Sequence, residues 1–162
     1  DEAMPYRGIL YVGLMLTADG TQVIEFNCRL GDPEAQVILP RLRSDLVAAM
    51  LATVEGTLGH VSLRWDNRSA VTVVMAAEGY PSAYEKGSVI SGTEGAEASD
   101  DVMLFHAGTK IDDAGTVTAH GGRVLAVTGL GDDAGTARAA AYAAVDGIDW
   151  PGGFCRRDIA AG

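Results

Sequence analysis

Residues 7–30 read Arg7-Gly8-Ile9-Leu10-Tyr11-Val12-Gly13-Leu14-Met15-Leu16, then Thr17-Ala18-Asp19-Gly20, then Thr21-Gln22-Val23-Ile24-Glu25-Phe26-Asn27-Cys28-Arg29-Leu30. The first run is apolar on both alternating faces, which predicts a strand buried on both sides. Ala18-Asp19-Gly20 supplies a hairpin turn in which Gly20 is free to take positive φ. Strands joined so closely must be antiparallel neighbours. A period of two puts Val23, Glu25, Asn27 and Arg29 on one face of the returning strand, and Ile24, Phe26, Cys28 and Leu30 on the other. The second is a plain core face, so Cys28 is expected to be an inert buried thiol. The first lines up a carboxylate, a carboxamide and a guanidinium, about 6.6 Å apart at each step. Glutamate and asparagine offer the hard oxygens that Mg²⁺ or Mn²⁺ prefers, and arginine can meet a phosphate or carboxylate. A solvent-facing edge strand carries the same pattern, and spacing alone does not separate the two.

Downstream, Gly31-Asp32-Pro33-Glu34 forms a loop into a helical stretch, with Pro33 suited to its first turn and Pro40 interrupting it. Ser44 is the expected N-cap of the next helix, with Asp45 in the first turn. Its apolar stripe is Leu46, Val47, Met50, Leu51 and Val54, a face made to pack, and Gly56 is its stop. From Ala70 the pattern returns to strands, at residues 70–77, 101–109, 116–119 and 123–128. Turn signals at Glu78-Gly79-Tyr80-Pro81, Asp112-Asp113-Ala114-Gly115 and Gly121-Gly122 separate them. Residues 134–145 form an alanine-rich helix with Tyr142 and Val145 on its buried side. The fold class is α+β, mainly antiparallel, with two or three helices and a seam near residues 56–69.

The chain's 162 residues, 48% hydrophobic, suffice for a real core and exclude wholesale disorder. Twelve Lys and Arg against 22 Asp and Glu give a net charge of -10, a field that argues against nucleic acid as partner. No apolar run reaches membrane-spanning length, and Asp1-Glu2-Ala3-Met4-Pro5 has no signal-peptide pattern. Two distant cysteines point to a reducing, cytoplasmic compartment. The 21 glycines, well above the usual ~7%, mark tight turns between strands. His60, His106 and His120 share no ligand spacing and read as structural or surface residues, and Lys86 as a solvated loop lysine. Gly121-Gly122-Arg123 suits either a tight turn or a phosphate cradle. Cys155 sits in a loose tail without a partner, and Arg156-Arg157 reads as a surface pair or salt-bridge donors.

The run Val23 to Gln36 resembles the metal-binding strand and following loop of the glycinamide ribonucleotide synthetase (phosphoribosylamine–glycine ligase) family, within the ATP-grasp superfamily. Arg7 to Met15, Ser44-Asp45-Leu46, Ala77-Glu78-Gly79-Tyr80-Pro81 with Tyr84-Glu85-Lys86-Gly87, Phe105-His106-Ala107-Gly108-Thr109, Gly121 to Val127 and Arg156-Arg157-Asp158-Ile159 are similar in the same order. The resemblance implies that residues 1–60 are the C-terminal piece of an ATP-grasp domain and residues 61–162 a sheet-rich C-terminal domain. It implies a ligase, with ATP as co-substrate, joining glycine to 5-phosphoribosylamine through a glycyl phosphate in purine synthesis. Glu25 and Asn27 match metal ligands for Mg²⁺ or Mn²⁺, Arg29 a catalytic residue that steadies phosphate charge, and Asp32, Pro33 and Glu34 the substrate- or nucleotide-binding loop. The family's amino-terminal regions have no counterpart in these residues, so the chain alone is expected to be an incomplete, inactive piece whose partner is that missing part. The alternatives are a catalytically silent packing module and a different ATP-grasp ligase.

Overall fold

Thr17 pairs with Gly20 across the two-residue turn Ala18-Asp19, and Gly20 adopts φ 110°, in a computed structural model that describes residues 4–96 and 98–161. The Asp1-Glu2-Ala3 terminus read above lies outside the described residues. The turn joins β1 (Tyr11–Thr17) and β2 (Gly20–Asn27) into an antiparallel hairpin. Gly13 pairs with Glu25 but Leu14 with Val23, so Ile24 has no partner and forms a bulge.

The hairpin belongs to the first of two compact units, residues 1–35 with 42–66; residues 36–41 and 67–162 form the second. Within the first unit, Asp45 accepts from the Val47 and Ala48 N–H groups at the start of α2 (Leu46–Glu55). Asp45 is thus the N-cap expected at Ser44, whose hydroxyl instead accepts from Arg64 N–H at 2.7 Å. Gly56, at φ 75°, closes the helix in the left-handed conformation that glycine tolerates best. Arg7 donates to the Val54 carbonyl at 2.6 Å, placing a cation at the negative end of the helix.

Two packing expectations fail here. β1 is not buried on both sides, since only Gly13 is enclosed and Leu16 is 82% exposed. Val47, Met50, Leu51 and Val54 of the α2 stripe are exposed as well, Leu46 is half-buried, and the helix buries the small side chains Ala49 and Ala52. Periodicity marks a surface suited to burial without supplying what covers it. α1 (Ala35–Arg41) starts two residues after Pro33 and ends one residue past Pro40. Pro33 therefore lies in the preceding turn, outside the helix.

The second unit is built on β7 (Arg123–Gly131), flanked by β4 (Val102–His106) and β3 (Ser69–Ala77), with β8 (Gly153–Cys155) beyond β3. All these pairings are antiparallel. β5 (Thr109–Ile111) and β6 (Val117–Ala119) form a separate hairpin, so the strand expected over 101–109 breaks at Ala107-Gly108. α3 (Thr93–Ala96) is a single turn, and α4 (Ala134–Gly147) covers the sheet with Tyr142 and Val145 buried as expected. Val73, Val124, Leu125 and Val127 are fully buried, each contributing about 1.5–3 kcal/mol of apolar burial.

The tail is anchored: Cys155 pairs with Met75, Tyr142 donates to the Arg156 carbonyl at 2.7 Å, and Arg138 stacks over the Tyr142 ring at 4.6 Å. Arg156 and Arg157 pair with Asp158 and Asp146, one of the two roles expected of them. The Gly121-Gly122 question resolves toward packing. A side chain on Gly122 would overlap the Tyr80 ring, and one on Gly121 would press on Gly108 Cα.

Gly129 marks a close approach of β7 to α4, because a Cβ there would lie 2.2 Å from the Ala137 carbonyl oxygen. Gly129→Ala should therefore destabilise the chain by roughly 3 kcal/mol or more, measured by urea denaturation. Asp133, the N-cap of α4, accepts from Thr136 N–H, and that hydrogen bond holds its carboxyl below the usual carboxylate range. Its stabilisation is complete above the unfolded-state pKa and fades as pH falls through the lower folded-state value. Asp133→Asn should flatten part of the urea-midpoint decline as pH falls through and below the ordinary carboxylate range.

Candidate functional site

The site is a property of the β1–β2 register. Tyr11 lies opposite Asn27 and Gly13 opposite Glu25, so all four share one patch of the hairpin. Asn27 Nδ2 donates to Glu25 Oε1 at 2.8 Å, which brings together the two oxygen-bearing side chains singled out in the sequence. Gly13 makes the room: a Cβ there would stand 3.2 Å from Glu25 Cγ and 3.6 Å from the Tyr11 hydroxyl.

Glu34 enters the same patch from the loop after β2. The Tyr11 hydroxyl donates to Glu34 Oε1 at 3.2 Å. Gly31 is what lets the carboxylate fold back, since a side chain there would overlap Glu34 Oε2. Ala35 N–H bonds to the Gly31 carbonyl at 2.9 Å and closes the loop. Partial desolvation, then the charge and hydrogen bond of Glu34, then the charge of Glu25, push the Tyr11 phenol above its ordinary range. Two carboxylates thus face one phenol. Among the described residues, no group of three or more His, Cys, Asp or Glu gathers at metal-binding distance.

Arg29 stands elsewhere. β2 ends at Asn27, so the strict alternation that put Arg29 beside Glu25 and Asn27 stops before it. Its guanidinium donates to the Leu30 carbonyl at 2.8 Å and borders a mostly apolar cavity of about 470 Å³ with Tyr6, Ile9, Cys28, Met50 and Val54. Glu25, Asn27, Asp32 and Glu34 are not in that lining. Cys28 is exposed, against the expectation of a buried thiol, because it falls in the bend beyond the strand. Partial desolvation first, and the Cys28 thiol second, raise the neighbouring Tyr6 phenol. Asp32 and Pro33 occupy the turn between β2 and α1.

Tyr11 is the site residue the sequence reading missed. Its signal was its place on β1, one pair from Gly13, in a strand read as wholly apolar.

Two family models match the chain. Residues 70–162 match the C domain of phosphoribosylglycinamide synthetase, and residues 1–35 match the ATP-grasp (A) domain of the same enzyme. The hairpin thus falls in the ATP-grasp match and the larger sheet in the C-domain match. The chain belongs to the phosphoribosylglycinamide synthetase family. It is 56% identical over 155 residues to the phosphoribosylamine–glycine ligase of Mesorhizobium japonicum, covering 96% of this chain and 36% of the relative. It is 51% identical to the chloroplastic phosphoribosylamine–glycine ligase of Arabidopsis thaliana, covering 98% of this chain and 30% of that one. A crystal structure of the Thermotoga maritima ligase superposes with a TM-score of 0.74 at 38% identity, over 93% of this chain and 36% of that one. The chain therefore spans about a third of the length of the relatives it matches.

The exposed Cys28 gives a direct check on the local geometry. A maleimide should label Cys28 well before Cys155, which lies half-buried in β8. Peptide mapping by mass spectrometry after short exposure should find the label on Cys28.

Proposed function

We propose that this chain supplies the metal strand and C-terminal domain of an ATP-dependent ligase that joins glycine to 5-phosphoribosylamine. The products are glycinamide ribonucleotide, ADP and phosphate. The observation that carries the reading is the Glu25–Asn27 pair, held side by side on β2 in a chain of this family. In domain terms, residues 1–60 are the end of the ATP-grasp domain and residues 61–162 the C-terminal domain. No helix among the described residues is long and apolar enough to cross a membrane, and the cytoplasm is the compartment we propose.

In this reaction the glycine carboxylate takes the γ-phosphoryl group of ATP, and the amine of phosphoribosylamine then attacks the acyl phosphate. Charge builds on the transferring phosphoryl oxygens, so most of the catalytic work is positioning and electrostatic stabilisation. The donor set fits a hard divalent cation. Glu25 offers a carboxylate, and Asn27, which spends an N–H on Glu25, keeps the lone pairs of its own Oδ1. Glu25 and Asn27 would hold Mg²⁺ or Mn²⁺, which when bound neutralises charge on the β- and γ-phosphates. Arg29, two residues beyond the end of β2, is assigned to the phosphate or acyl-phosphate charge through its fixed fork of N–H donors. Asp32, Pro33 and Glu34 form the wall on the substrate and nucleotide side. Their loop follows β2, on which Glu25 is exposed.

Kinetics on a polypeptide spanning the full length of the relatives test the reading. Glu25→Gln should lower kcat by about a hundredfold or more while changing KM for glycine little, because the lost interaction acts on transition-state charge. Wild-type kcat in that variant would refute the assignment of Glu25.

A further inference from the structure

Two glycine gaps and one phenol organise the carboxylates of this hairpin. Gly13 admits Glu25, Gly31 admits Glu34, and the Tyr11 hydroxyl lies within 3.2 Å of Glu34 Oε1 and next to the gap that Glu25 fills. The Glu25–Asn27 pair has its own hydrogen bond and keeps its geometry without Tyr11. Glu34 differs. It projects from a loop, outside the β-ladder, and the Tyr11 hydrogen bond ties it to the strand.

We propose that Tyr11 is a positioning residue that holds the Glu34 carboxylate beside Glu25 and Asn27, so that Glu34 adds a third oxygen ligand or a close counter-charge to a divalent cation bound there. The proposal rests on the reading of Glu25 and Asn27 as the cation-holding pair. Its physical basis is that two protein oxygens bind a hydrated divalent cation poorly, and a second carboxylate adds both an oxygen and a charge. A loop carboxylate adds them cheaply only if it is already in place. The Tyr11 hydroxyl holds Glu34 Oε1 and so fixes the whole carboxylate, as partners outside a metal's ligand set commonly do. Tyr11 itself need not touch the cation.

The test uses the 162-residue chain with Mn²⁺ alone, followed by paramagnetic broadening of backbone amide signals at millimolar metal. Residues 25, 27 and 34 should broaden together. Tyr11→Phe and Glu34→Gln should each weaken Mn²⁺ binding about tenfold. Each should reduce broadening at residue 34 and preserve it at residues 25 and 27. The double variant should lose no more than either single one, because Tyr11 acts through Glu34. A purely structural tyrosine would not produce that selective loss at residue 34 or that lack of additivity. Unchanged Mn²⁺ binding by Tyr11→Phe, or additive losses, would overturn the proposal while binding that still depends on Glu25 keeps the metal-strand reading. No broadening at residues 25 and 27, or full binding by Glu25→Gln, would overturn both. If Tyr11→Phe shifts signals throughout β1 and β2, Glu34→Gln decides alone: unchanged affinity there overturns the role given to Glu34.

Discussion

The register of one short hairpin decides which side chains meet on β2. The Ala18-Asp19 turn fixes the first pair, Thr17 with Gly20, and the bulge at Ile24 then shifts every later pair by one. Without the bulge, Gly13 would face Ile24, and the gap it offers would be wasted on a side chain with no charge. With it, Gly13 faces Glu25 and Tyr11 faces Asn27. Side chains alternate with a period of two, so a slip of one residue would move the whole oxygen-bearing set to the opposite face. The proposed chemistry is therefore specified by backbone pairing before any side chain makes a contact.

The two units answer different physical demands. In the second, the long strands β3 and β7 are buried along most of their length, and α4 approaches so closely that only glycine fits at 129 and 131. Its stability comes from close packing of apolar surface. In the first, Ile24 and Phe26 are each 62% exposed, and the local order comes from hydrogen bonds, helix caps and turn geometry. A hairpin with so little burial keeps its shape through directional contacts. The Glu25 carboxylate it carries is thus left exposed.

Much of this was legible in the sequence. The hairpin, the Gly20 turn, the Gly56 stop and the alanine-rich closing helix were readable because turn chemistry and periodicity are local signals. The pairing of Glu25 with Asn27 followed from the period of two. What escaped was set by position relative to other parts of the chain. Cys28 and Arg29 were assigned to strand faces, but β2 ends one residue before the first and two before the second. Ser44 lost the cap to Asp45 because its hydroxyl was taken by Arg64, twenty residues away. Tyr11 looked like one more apolar strand residue, and only the cross-strand register showed its hydroxyl among carboxylates. Trp150 and the strand at Gly153 were invisible as structure because glycine-rich tails read as loops. There, Trp150 Nε1 bonds the Ser88 hydroxyl at 2.9 Å, and its ring fills the space that a side chain at Gly153 would need.

The path of the chain through α1 bears on modularity. Residues 36–41 belong to the second unit although residues 1–35 and 42–66 belong to the first, so the backbone passes between units three times. The Thr128 hydroxyl, buried beside Thr72, lies 2.8 Å from the Gln36 carbonyl, which roots this helix in the β7 sheet. A single cut between Asp66 and Asn67 would leave the helix on the wrong fragment, parted from that sheet. Shuffling by simple end-to-end fusion would meet the same obstacle. The two units are thus interleaved along the chain, and residues 36–41 are the stretch by which the second interrupts the first.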